Sequence, residues 1–363
     1  RARQRRRPSP HRPALNSSAL NSSVLNSSAL NIHHSPNGHH TMITTSHRRA
    51  ATAAAMLSAA ALVAAGCSSS SDGATTEQGF PETITLAAIP AENSTDLKAS
   101  YDPVIERLEN ETGANVEFIQ ASDYAGVVEG LIAGNVDIAF FGPFAYVVAG
   151  INGARMTPLG AVVQDEGTPP GYQSYGIARS DNASVNSLED YAGKKVCFVD
   201  PSSTSGFLYP TAGLIEDNVI ASGSEADISA AMTPIYAGGH DASVLAVKAG
   251  DCDAGFAFDT MVDRTMIDNG EIAPGELKTV WKSDTIAGSL FAANDDLGAD
   301  AIAKLEDVFS EGMNSDAFVA DGICAEECRI TDEDAWGVVP AQDSDYDGVR
   351  AVCEITGSEK CRG

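Results

Sequence analysis

Residues 195–217 read KVCFVDPSSTSGFLYPTAGLIED. Val196, Cys197, Phe198 and Val199 make a short apolar run, which is expected to be a strand over 195–199. Asp200 and Pro201 end it, and a helix is expected over 206–217. Between the two stand Ser202, Ser203, Thr204 and Ser205. A helix N-cap needs one hydroxyl. Several hydroxyls at a helix start, beside free backbone N–H groups and the positive end of the helix dipole, form an anion site that uses no Lys or Arg.

The same strand-then-helix rhythm runs outward on both sides. Upstream, strands are expected at 84–89, 115–120 and 136–141, with Leu97, Val104, Ile105 and Leu108 and then Val127, Val128 and Leu131 at helical spacing. Downstream come strands at 233–236 and 254–258, a helix over 242–249, extended runs at 277–281 and 290–293, and a helix over 299–311. This alternation predicts an α/β protein of βαβ units with mainly parallel sheets. Two extended runs with no helix between them, 158–164 and 174–178, mark a crossing into a second lobe, and the chain returns later. The expected architecture is two Rossmann-like lobes joined by two crossover strands with a ligand cleft between them. Lobe 1 takes 81–175 and 284–363, and lobe 2 takes 176–283.

Ligands in open α/β sheets sit beyond the carboxyl ends of strands, so the other strand ends are the next candidates. Gly142-Pro143 turns the chain after 136–141 and could aim Tyr146 at the cleft. Tyr124 opens the preceding helix, and Gly171-Tyr172 precedes the crossover. Gly238-Gly239 allows close backbone approach before His240, the only histidine after Cys67. Asp259 follows the strand 254–258. A buried tyrosine is more often packing than ligand contact, and a single histidine is more often a cap.

Charge and targeting narrow the function. Of 23 basic residues, eight precede Cys67, and none of the 50 acidic residues does, so the remainder carries 15 − 50 = −35. Such a surface repels nucleic acid and anionic membrane. Residues 1–41 are low-complexity and are expected not to be translated. Residues 42–66 have a short basic region (His47, Arg48, Arg49) and a small-apolar run too short to span a bilayer, the pattern of a signal peptide. Gly66-Cys67 resembles the lipobox of bacterial lipoproteins, which implies a lipid on Cys67, and 67–80 reads as a flexible tether. Six cysteines remain, Cys197, Cys252, Cys324, Cys328, Cys353 and Cys361, an even number in an exported chain, so up to three disulfides are expected. Cys197 and Cys252 fall on expected strands of one lobe and are a candidate pair, leaving four for the acidic C-terminal tail. Their irregular spacing argues against zinc, and no metal is expected.

Taken together, Asp123-Tyr124-Ala125-Gly126, Val136-Asp137-Ile138-Ala139 with Phe141-Gly142-Pro143, Gly171-Tyr172, residues 200–206 and Gly239-His240-Asp241-Ala242-Ser243 resemble the substrate-binding lipoproteins of phosphonate, phosphite and phosphate ABC transporters, over residues 84–293. The resemblance implies the type 2 periplasmic-binding fold. It also implies an extracytoplasmic binding protein, a monomer and not an enzyme, that needs no cofactor. That protein would hand a phosphorus oxyanion to a permease driven by an ATPase. It points to Tyr124, Tyr172, Ser203, Thr204, Ser205 and His240 as ligand contacts, with Tyr146 and Asp259 further out. Asp259, turned inward, would accept a P–OH and repel sulfate. Many relatives carry Ile-Pro-x-Asp-Pro where this chain has Ile286-Ala287-Gly288-Ser289-Leu290, and the missing carboxylate argues against aminoalkylphosphonates. Two other readings stand beside it. One is a binding protein for another solute, such as a pyrimidine precursor or an organic acid. The other is a secreted hydrolase with a Ser205–His240–Asp259 triad.

Overall fold

The computed structural model describes residues 75–90 and 97–362. Cys67 and the segments expected to be an extension (1–41), a signal peptide (42–66) and the first part of a tether lie outside the described residues. The rest of the expected flexible tether, 75–80, is folded, with Thr75 bridged to Pro81 and Phe80 buried. Eleven strands among those described are β1 Thr83–Ala88, β2 Asn115–Gln120, β3 Ile138–Phe141, β4 Met156–Val163, β5 Ser174–Arg179, β6 Lys195–Phe198, β7 Thr233–Tyr236, β8 Ala254–Phe258, β9 Leu277–Lys282, β10 Leu290–Asn294 and β11 Gly337–Val339. They build two sheets, ordered β11-β4-β10-β3-β1-β2 and β7-β6-β8-β5-β9. The central strands β3, β8 and β10 are buried along their whole length, as continuous apolar runs covered on both faces should be.

The expectation of mainly parallel sheets needs correction. β1 is parallel to β2 and β3, and β6 to β7 and β8, where helices connect the strands. The strands flanking the crossovers enter antiparallel, β10 against β3 and β4 and β5 against β8 and β9, because a strand reached without an intervening helix has no crossover to turn it parallel. The edge strand β11, reached after the helices Ala299–Glu311 and Ser315–Ala320, also runs antiparallel to β4. Each lobe therefore mixes parallel and antiparallel pairs.

Two segments join the lobes, 164–173 and 283–289. They pair with each other where Tyr172 and Ile286 exchange backbone hydrogen bonds of 3.1 and 2.8 Å. Because β5 starts at Ser174, Ser174 and Tyr175 belong to the second sheet and not to lobe 1 as expected.

The C-terminal tail also departs from the expected plan. Its helix Asp347–Thr356 packs against Pro143–Ile151 of lobe 1 and against Tyr209–Glu216 of lobe 2. The Gly223 N–H of lobe 2 donates to the Thr356 carbonyl at 2.7 Å. The tail thus straps both lobes. Disulfides join Cys197 to Cys252, Cys324 to Cys328 and Cys353 to Cys361. Among the described residues, no helix is long and apolar enough to cross a membrane, and no cluster of metal-ligating side chains occurs.

Candidate functional site

Between the lobes lies a small, tightly packed cavity of about 10 Å³. Tyr124, Tyr172, Ser203, Thr204, Ser205 and His240 all line it, joined by Ile89, Gly142, Phe258, Ser289 and Glu333. Among these described lining residues there is no lysine or arginine.

The turn after β6 shows why so many hydroxyls stand there. Ser203 Oγ accepts from the Gly206 N–H at 3.0 Å and is the cap. Thr204 and Ser205 are released from that duty. Thr204–Leu208 forms a wide π-type turn before the helix Tyr209–Glu216, and its first N–H groups have no partner within the helix. The turn is held from beneath, because Ser174 Oγ donates to the Ser205 carbonyl at 2.6 Å. Gly206 lies so close to Val199 that an added Cβ would meet the valine side chain at 2.4 Å.

Thr204 also ties the lobes together. Its Oγ1 accepts from the Phe144 N–H of lobe 1 at 2.8 Å. Gly142 permits this approach, since a Cβ there would stand 3.3 Å from the same oxygen. The same hydroxyl also pairs with the Tyr172 phenol across the cavity.

His240 begins the helix His240–Ala249 and is 3% exposed. The Phe258 N–H donates to Nδ1 at 3.2 Å, so the ring proton belongs on Nε2, which stands 3.4 Å from Ser203 Oγ. Burial lowers its pKa to about 3, so the imidazole is neutral and offers one N–H. Burial likewise raises the phenols of Tyr124 and Tyr172 well above their ordinary value, keeping both as O–H donors. The arrangement is a buried cluster of neutral donors, suited to a small oxyanion.

Two expected contacts are not in the cavity. Tyr146 is buried behind it, where its hydroxyl donates to Asp343 Oδ1 at 2.7 Å and its ring packs on Tyr346. Its helix starts at the cleft, but its position on that helix turns it toward the tail. Asp259 accepts from the backbone N–H groups of Gln173 and Thr260, at 3.1 and 3.0 Å. It fixes the first crossover instead of facing a ligand. This also dismantles the hydrolase triad, since Nδ1 of His240 takes a backbone N–H where a triad needs a carboxylate, and Nε2 faces Ser203 and not Ser205.

Sequence reasoning missed Ser289 and Glu333. Ser289 ends the second crossover, and its Oγ donates to Glu333 Oε1 at 2.5 Å. A carboxyl group therefore does line the cavity, supplied from the tail. Glu333 lies within the acidic run Asp332-Glu333-Asp334, which reads as a solvated turn and gave no signal of burial.

Comparison with known proteins places this geometry. Residues 86–346 match the family described as ABC transporter, phosphonate, periplasmic substrate-binding protein. The phosphate-import protein PhnD of Mycolicibacterium smegmatis is 72% identical over 291 residues, covering 80% of this chain and 91% of that protein. A binding-protein component of an ABC phosphonate transporter from Pseudomonas aeruginosa superposes with a TM-score of 0.62 at 25% identity, covering 77% of this chain and 89% of that one. PhnD1 of Prochlorococcus marinus, solved with methylphosphonate, shares the fold with a TM-score of 0.61 at 19% identity, covering 76% and 99% of the two chains.

Proposed function

Because the chain belongs to the periplasmic substrate-binding proteins of ABC phosphonate transporters, we propose that its own ligand is inorganic phosphate, held by Tyr124, Tyr172, Ser203, Thr204, Ser205 and His240. The protein is the extracytoplasmic binding component of an ABC importer, which works by capture and delivery and not by chemical turnover. The observation that carries the choice of ligand is the cavity itself: small, set between two lobes, and lined by hydroxyl, phenol and imidazole groups with no lysine or arginine. A tetrahedral anion with four oxygens can use several donors at once, each hydrogen bond to a charged group contributing about 1.5 to 3 kcal/mol. The name of the mycobacterial relative supports the same ligand. Closure brings Thr204 onto the Phe144 N–H, so the contact that lines the site also latches the lobes.

Phosphate should stabilise the fold. At 100 times the dissociation constant the gain is about 2.7 kcal/mol, visible as a shift of the melting temperature. If phosphate, phosphite and methylphosphonate all leave the melting curve unmoved, the assignment of this cavity is wrong.

The chain is tethered through a lipid on Cys67, as the signal segment and the Gly66-Cys67 junction suggest. Cys67→Ala should move the protein from the membrane fraction to the soluble fraction, and equal retention of the variant would remove the anchor from the account. The family resemblance suggests that the protein acts as a monomer. A dimer seen by light scattering of the released form would contradict that.

A further inference from the structure

Glu333 sits on a four-residue turn, 331–334, closed by paired backbone hydrogen bonds between Ile330 and Ala335 of 2.9 Å each. Thr331 and Asp334 flank it with φ of +59° and +56°, values unusual for a residue with a side chain and most costly for β-branched Thr331. The turn is anchored from several sides. The Thr331 N–H donates to the Ser100 carbonyl at 2.8 Å, the Tyr101 hydroxyl donates to Asp332 Oδ1 at 2.9 Å, and Arg264 of lobe 2 donates to the Asp334 carbonyl at 3.2 Å. A strained turn held this firmly delivers one buried carboxyl group, 7% exposed, to the cavity wall.

Among the described residues lining the cavity, no cation meets it. The ionisable groups facing Glu333 are Asp332 on its own turn, Asp259 at the end of β8, the Tyr172 phenol on the crossover and the Tyr101 phenol beneath the turn. Tyr124 and neutral His240 complete the wall. An ionised Glu333 would be a buried charge beside other negative groups, and burial pushes its pKa up to about 8. Ser289 donates to Oε1, which leaves Oε2 to carry the proton.

Resting on the phosphate reading above, we infer that Glu333 sets the specificity of the site: its carboxylic acid donates a hydrogen bond to the bound oxyanion and thereby favours phosphorus dianions over sulfate. The strength of a hydrogen bond from an acid rises with the basicity of its acceptor. Phosphate, phosphite and phosphonate dianions take up a proton near neutral pH, whereas sulfate does so only in strong acid. Carboxyl and phosphate therefore share one proton as a coupled pair, whichever oxygen holds it. With sulfate the proton stays on Glu333 and the bond is weaker. This takes over the role that the sequence reading had given to Asp259.

Calorimetric titrations of wild type and Glu333→Gln with phosphate, sulfate and 2-aminoethylphosphonate, from about pH 6 to about pH 9, test the inference. Wild type should prefer phosphate to sulfate by at least about tenfold, and its phosphate affinity should fall as pH rises past about 8. Glutamine keeps the shape and a neutral donor but cannot share a proton. Its preference for phosphate should shrink by about tenfold and its alkaline loss should disappear.

A second readout needs no ligand. A glutamate with a raised folded pKa gives stability that is full below its unfolded value and is lost as pH rises through the folded one. Unliganded wild type should therefore melt lower at alkaline pH, and Glu333→Gln should remove part of that decline. An unchanged phosphate-to-sulfate ratio and pH profile in Glu333→Gln would overturn the inference while leaving the phosphate reading intact. So would tighter binding of the aminophosphonate than of phosphate that is lost in the variant, since the carboxylate would then be pairing with an ammonium group. Wild type that binds no phosphorus oxyanion would overturn both.

Discussion

Thr204→Val lowers phosphate affinity by roughly ten- to a hundredfold, the largest loss expected from a change that preserves side-chain shape. The oxygen of Thr204 accepts from the Phe144 N–H, and its hydroxyl, which pairs with the Tyr172 phenol across the cavity, can turn its proton to the ligand. Valine removes that donor and also strands the buried Phe144 N–H. Thr204→Ser restores the hydroxyl and should recover most of the affinity. Calorimetric titration with phosphate checks the series, and a valine variant that binds as tightly as wild type would show that the hydroxyl does not touch the ligand.

The other large effect concerns stability. Cys197 lies within β6, and Cys252 stands two residues before β8, its parallel neighbour, with a sequence separation of 55. In the chain-entropy treatment, closing a loop of that length stabilises by about 4 kcal/mol. The separations of 4 and 8 at the other two bridges give only about 2 to 2.5 kcal/mol each. The Cys197→Ala/Cys252→Ala double variant should therefore lose more unfolding free energy in denaturant than a Cys324→Ala/Cys328→Ala variant. A loss under about 1 kcal/mol in the first would mean that the denatured chain, and not the bridge, sets the difference.

Much of this was legible from residue order because it depends on local pattern. The run 195–206 shows a strand, a break and a helix start within a dozen residues, and three of the four hydroxyl residues it carries, Ser203, Thr204 and Ser205, line the cavity. Tyr124, Tyr172 and His240 were found for the same reason, as each sits where an element begins or a crossover starts. Position at a strand end does not say which way a side chain turns. Tyr146 points back to Asp343, and Asp259 bonds to Gln173 N–H, both through partners distant in sequence. Glu333 was hidden more deeply. Its burial comes from contacts of its turn with Ser100, Tyr101 and Arg264, between 69 and 233 residues away, and an acidic run without periodicity carries no trace of them. The direction of β5 and β10 escaped for a related reason, since strand pairing across a crossover is set by how the lobes fold back and not by the residues of the strand.

A crystal structure of the protein grown with phosphate tests the central claim most directly. The account predicts one tetrahedral anion between the lobes, within about 3.2 Å of Thr204 Oγ1, the Tyr172 hydroxyl and His240 Nε2, with Glu333 as the only carboxyl group in contact. An anion bound elsewhere, or a closed cavity that stays free of anion at saturating phosphate, would contradict it.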